Sequence, residues 1–137
     1  TYYAFARIGY SQYHLKDYKS AIKSFTKSIQ IRPGYKYAYI LRGDTKADMG
    51  DNHGAISDYN RAIEIDPNDP YPYIFSGYAK QNLGDMDGAC ADWRIARRKD
   101  TNNIYKIDSL RSDFCTKIKI AYYYKFPINN SWSKQHL

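Results

Sequence analysis

The chain offers catalysis no foothold. His14, His53 and His136 are scattered, no serine or cysteine sits in a nucleophile motif, and no glycine-rich loop leads into a helix with a following lysine. Only two cysteines occur in 137 residues, and Cys90 and Cys115 match no metal-binding or redox spacing. Each is therefore expected to be a small buried residue. No apolar run approaches the ~20 residues that span a bilayer, which argues against a membrane segment. These absences predict a non-enzyme without cofactor or metal. No secretory signal opens the chain, so a cytoplasmic location is expected, although a start at Thr1 rather than methionine leaves secretion open.

A basic excess in every part of the chain is missing too. The net charge of +7 comes from 21 basic and 14 acidic residues. Residues 1–34 hold six basic against one acidic, 35–68 four against six, 69–102 five against five, and 103–137 six against two. A continuous groove for a phosphate backbone would want lysine and arginine throughout, so this distribution argues against nucleic acid as the main partner. The run Arg94, Arg97, Arg98 and Lys99 is read as a solvated helix face.

What the chain does have is a period. Gly9, Gly43 and Gly77 recur at 34 residues, and Ala21, Ala55 and Ala89 recur at the same spacing. Small residues at fixed intervals are what the two helices of a repeating hairpin need where they approach closely. An aromatic precedes each glycine by four (Phe5, Tyr39, Tyr73), and another follows each alanine by four (Phe25, Tyr59, Trp93). Small residues follow at Ser28, Ala62 and Ala96, and Pro33 and Pro67 close two of the units.

This pattern resembles the tetratricopeptide repeat over residues 3 to about 102. The resemblance implies an all-α fold, an α-solenoid of three helical hairpins. Repeats are placed at about 2–35, 36–69 and 70–103. First helices are expected at about 3–14, 37–49 and 71–83, and second helices at about 18–31, 53–65 and 87–99. Gly50-Asp51 and Gly84-Asp85 supply turns within units two and three, a job that Lys16-Asp17 does less well in unit one. Pro70 and Pro72 fit the first turn of a helix. The departures are local: Arg42 and Ser76 stand where the family prefers leucine, and Gln12, Lys46 and Lys80 where it prefers tyrosine.

A fourth unit would put glycine at 111 and alanine at 123, where Arg111 and Tyr123 stand, so the repeat has ended. Ile104, Ile107, Leu110, Phe114, Ile118 and Tyr122 keep helical spacing and predict a capping helix over about 103–126, closing a repeat domain of residues 1–126. The alternation at Ile118, Ile120, Tyr122, Tyr124 and Phe126 also fits a strand or a disordered arm. Residues 127–137 read as a flexible tail.

In the family, first helices line a concave groove. By position relative to each glycine, the groove here would be lined by Tyr3, Arg7, Tyr10 and Tyr13 of unit one. Tyr37, Leu41, Asp44 and Asp48 of unit two follow, then Tyr71, Phe75, Tyr78, Gln81 and Asn82 of unit three. Six tyrosines then fall on a face that the core aromatics leave exposed. Tyrosine supplies rigid area and a hydroxyl, which suits an extended peptide. One branch of the family grips acidic chaperone tails with a carboxylate clamp, but the corresponding places hold Ala6, Tyr10, Leu41, Tyr71 and Phe75, and no clamp residue is present. The expected function is a non-catalytic adaptor that holds a segment of another protein in a tyrosine-lined groove. Base stacking on single-stranded nucleic acid and self-association through the ends of the solenoid are the alternatives.

Overall fold

In the computed structural model, residues 1–102 and Cys115 are described. They form six helices: α1 (Tyr2–His14), α2 (Tyr18–Ile31), α3 (Lys36–Asp48), α4 (Asn52–Ile65), α5 (Pro70–Asn82) and α6 (Met86–Lys99). Each bound lies within one residue of its expected place. Helices pair as α1 with α2, α3 with α4 and α5 with α6, and each hairpin also packs on the next. Among the described residues no helix is long and apolar enough to cross a membrane. The expected capping helix and tail lie outside the described residues, Cys115 excepted.

Three sequence features explain the hairpin. The first is the repeat glycine, on which the aromatic ring of the second helix rests. A Cβ at Gly9 would stand 2.7 Å from the Phe25 ring and one at Gly43 2.9 Å from the Tyr59 ring, and Gly77 meets the Trp93 indole in the same way. Any side chain there would lever the helices apart. Ala21, Ala55 and Ala89 are fully buried.

The second is an aspartate cap. Asp17, Asp51 and Asp85 precede α2, α4 and α6, and their carboxylates accept from the backbone N–H groups of Ser20, Gly54 and Gly88 at 3.3, 2.9 and 2.9 Å. These bonds satisfy donors that a helix start leaves unpaired. Pro70 opens α5 behind the Asp69 cap.

The third is the turn. Gly50 and Gly84 have φ of +85° and +83°, and Lys16, in the same place in unit one, has φ of +61°. A lysine there carries the steric cost that glycine escapes.

Four of the five family departures find partners across the hairpin, whereas the Ser76 hydroxyl is buried without a hydrogen bond. Ser24 donates to the Gln12 side-chain carbonyl at 2.7 Å in unit one. Lys46 meets Asp58 at 2.9 Å in unit two, and Lys80 lies 2.7 Å from Asp92 in unit three, at ion-pair distance although not aligned as a hydrogen bond. All three pairs share the 34-residue register. Arg42 adds a two-pronged grip on Asp58, with Nε at 2.9 Å and Nη2 at 2.7 Å, while its Nη1 reaches Thr26 of α2 at 3.1 Å. Arg42, Lys46 and Lys80, at positions that the family fills with leucine and tyrosine, thus form half-buried ion pairs here.

The reading of the two cysteines as separate buried residues is corrected. Cys90 and Cys115 form a disulfide. Cys90 belongs to a cluster with Ala89 and Trp93, against which Tyr78 and Cys115 pack. The expectation failed because sequence spacing cannot show that a residue beyond the last repeat returns to α6.

Candidate peptide groove

The first helices α1, α3 and α5 lie side by side, α3 in the middle. Between α3 and the start of α5 opens a cleft of about 500 Å³. Its walls include Tyr37, Leu41, Asp44 and Tyr71, four of the residues expected in the groove, together with Lys36, Ile40, Asp66, Asn68 and Asp69. Sequence reasoning passed over Lys36 and Ile40 of α3, and it missed Asp66, Asn68 and Asp69 because it used first-helix positions alone. Asp66, Asn68 and Asp69 come from the connector that follows α4, and the Asp66-Pro67-Asn68-Asp69-Pro70 turn was the available signal.

Hydrogen bonds from tyrosine hydroxyls tie the three first helices together. Asp44 on α3 accepts from Tyr71 of α5 at 2.9 Å and from Tyr59 of α4 at 2.6 Å. One turn further along α3, Asp48 accepts from Tyr13 of α1 at 2.6 Å. Burial raises the Asp44 carboxyl above its usual range, while the two hydroxyls work to lower it. The Tyr13 hydroxyl is pushed up, chiefly by its bond to Asp48 and then by burial. Burial, followed by the Asp44 charge and hydrogen bond, raises the Tyr59 hydroxyl as well. Neither Tyr13 nor Tyr59 ionises near neutral pH.

The expected groove residues divide into two groups. Tyr3, Tyr10 and Tyr37 are 54%, 50% and 52% exposed, and Arg7, Asp48 and Asn82 also face solvent. Tyr13, Leu41, Asp44, Tyr71, Phe75, Tyr78 and Gln81 are half-buried. Tyr71 packs on the cluster of Tyr39, Ile40 and Ala62, while Phe75 and Tyr78 pack on Ile74 and Ala96. The Tyr71 and Phe75 rings lie 4.3 Å apart, Phe75 and Tyr78 5.9 Å, and Tyr78 and Trp93 5.4 Å. An aromatic chain therefore runs from the groove into the core of unit three. The tyrosines of unit three serve packing as well as surface, contrary to the expectation that all six avoid the core. Ala6, matched above to a clamp position, is buried at 4% exposure. Asn82 donates to Asn52 across the junction of α5 and α4 at 3.3 Å. Lys36 donates to Asp66 at 2.6 Å and lies 3.1 Å from Asp69. Among the described residues no group of histidine, cysteine and carboxylate side chains is arranged to hold a metal ion.

Comparison with known proteins agrees with the repeat fold. Family models described as tetratricopeptide repeat and TPR repeat match residues 2–35 and 43–84. No curated protein matches the sequence. Among solved structures, the TPR2B domain of yeast Sti1 in complex with an Hsp70 peptide is 30% identical. That match covers 77% of this chain and 89% of the other, with a TM-score of 0.71. MamA is 24% identical with a TM-score of 0.73, the match covering 75% of this chain and 60% of the MamA chain. The first TPR domain of Spaghetti, bound to the HSP90 peptide SRMEEVD, is 19% identical with a TM-score of 0.77, covering 87% and 93%. The period, the helical hairpins and these matches place the chain in the tetratricopeptide repeat family.

Proposed function

We propose that this chain is a non-catalytic adaptor that holds an extended peptide segment of another protein in the concave groove of its first helices. The observation that carries the reading is the cleft between α3 and α5, where Tyr37, Leu41 and Tyr71 offer apolar area and Asp44 a fixed polar group. Pockets for short segments combine such walls with a few convergent polar groups. Yeast Sti1 TPR2B and the Spaghetti domain hold chaperone peptides, which supports a peptide as the class of ligand. The acidic SRMEEVD peptide fits poorly here, because the clamp cations are missing and Asp44 and Asp48 would repel it. The same carboxylates count against a nucleic acid backbone.

A selection of displayed random peptides against the chain tests the reading. Selected peptides should lose about 2 kcal/mol or more of affinity on Tyr37→Ala. That side chain is half exposed, so stability should move by no more than ~0.5 kcal/mol. Peptides whose binding ignores Tyr37→Ala and Leu41→Glu alike would place recognition elsewhere.

A further inference from the structure

Among the described residues, the carboxylates at helix interfaces have cations, with two exceptions. Asp58 is met by Arg42 and Lys46, Asp92 by Lys80, and Asp66 and Asp69 by Lys36. Asp44 and Asp48 are met by tyrosine hydroxyls. A hydroxyl satisfies a hydrogen bond but brings no opposite charge. The two aspartates stand one helical turn apart on α3, a spacing at which like charges repel. Burial adds to the cost at Asp44 and raises its carboxyl.

The cleft beside them keeps the same balance. Its walls carry one ammonium, Lys36, against three carboxylates, Asp44, Asp66 and Asp69, and Lys36 is already engaged by Asp66 and Asp69. Aromatic faces stand next to this negative charge. Lys36 Nζ lies 5.1 Å from the Tyr37 ring centroid, within the range of a cation–π contact, and the Tyr71 and Phe75 rings continue the wall. Carboxylate and aromatic face together make a receptor for a cation with an alkyl stem, whose methylenes cover ring area while its head meets the acid.

We infer that the segment held in this groove presents a lysine or arginine side chain to the α3–α5 cleft, where it pairs with Asp44 between the Tyr37 and Tyr71 rings, while Asp48, one turn further along α3, adds its negative charge from beside the cleft. This rests on the groove reading above and specifies its ligand as cationic, the opposite of the acidic SRMEEVD peptide held by the Spaghetti domain.

The test uses the displayed random peptides together with synthetic copies in which each lysine or arginine is replaced by norleucine. Selected sequences should be enriched in a basic residue beside an apolar one. Norleucine at that position, Asp44→Asn and Asp48→Asn should each weaken binding at least about tenfold, and the wild-type affinity should fall with added salt. Asp48 is exposed, so its variant carries the test even if Asp44→Asn disturbs folding. Peptides that are sensitive to Tyr37→Ala, lack basic enrichment and ignore both asparagine variants would overturn the cationic ligand while leaving the groove in place. Selection of no peptide sensitive to Tyr37→Ala would overturn both.

Discussion

At the scale of single residues, two of the described positions carry a local cost. Lys16 holds a left-handed backbone where units two and three use Gly50 and Gly84. Removing its Cβ should stabilise the fold, since an L-residue pays about 1–2 kcal/mol there and glycine gives part of that back in chain entropy. Lys16→Gly is expected to gain about 1 kcal/mol, read as a rise of a few degrees in the melting temperature. A fall would mean that the lysine side chain contributes a contact worth more than the strain. Asp44 is the second position. Its carboxyl is raised in the folded state, so the folded protein binds that proton more tightly than the unfolded chain does. Its contribution is therefore most favourable below the ordinary aspartate range near pH 4 and turns against folding as pH rises through the raised value. The melting temperature of Asp44→Asn relative to wild type should accordingly climb between acidic and neutral pH. A flat difference would show that Tyr59 and Tyr71 fully offset the burial.

At the scale of helices, the ion pairs across each hairpin decide how the elements dock. Asp92 is 8% exposed and sits against Lys80. Removing the lysine alone strands a buried carboxylate, and Lys80→Met should cost about 3–5 kcal/mol. The double change Lys80→Met with Asp92→Leu should recover most of that loss, because a well-packed apolar pair of similar volume is often as stable as the buried ion pair. Chemical denaturation of the two variants checks this; equal losses would mean that the pair is not coupled. At the helix crossing itself, Ala55 is fully buried, and Ala55→Leu should overpack the middle hairpin at a cost of ~1–3 kcal/mol, visible in the same experiment. The helices and their crossings were legible in the sequence because glycine, alanine and capping aspartate each repeat at 34 residues and act locally. The partner of Lys46 was not legible in that way. Asp58 lies on the other helix of the hairpin, and each residue alone reads as a solvated charge. Of the groove, first-helix positions such as Tyr37 and Leu41 were readable from helical spacing. The connector residues Asp66 and Asp69 and the Tyr59 hydroxyl were not, because only the folding of α4 and its connector back on α3 brings them to Lys36 and Asp44.

At the scale of the whole molecule, the disulfide sets a polarity. A repeat array is held by neighbour contacts alone, so its terminal units open most easily. The Cys90–Cys115 bond closes a sequence separation of 25 residues and should contribute roughly 3 kcal/mol by restricting the unfolded chain. Reduction, or Cys90→Ser, should lower the melting temperature and speed amide exchange in α6 more than in α1, and a melt indifferent to reductant would count against the bond. Such bonds persist in oxidising surroundings and open where thiols are kept reduced, so the compartment decides whether the chain keeps this contribution.

The cross-hairpin pairs have a consequence for assembly fidelity. Near-identical hairpins can exchange partners during folding, a known failure of repeat proteins. Unit one carries the neutral pair Gln12–Ser24, whereas unit two carries Lys46 and Arg42 around Asp58. If α1 were to clasp α4, Asp58 would be buried against Gln12 with both its cations left behind, a penalty that the native pairing escapes. The charge ladder thus acts as an address for each helix, and replacing Asp58 together with Lys46 and Arg42 by apolar residues would erase it: swapped dimers should then appear on refolding even where the monomer is no less stable.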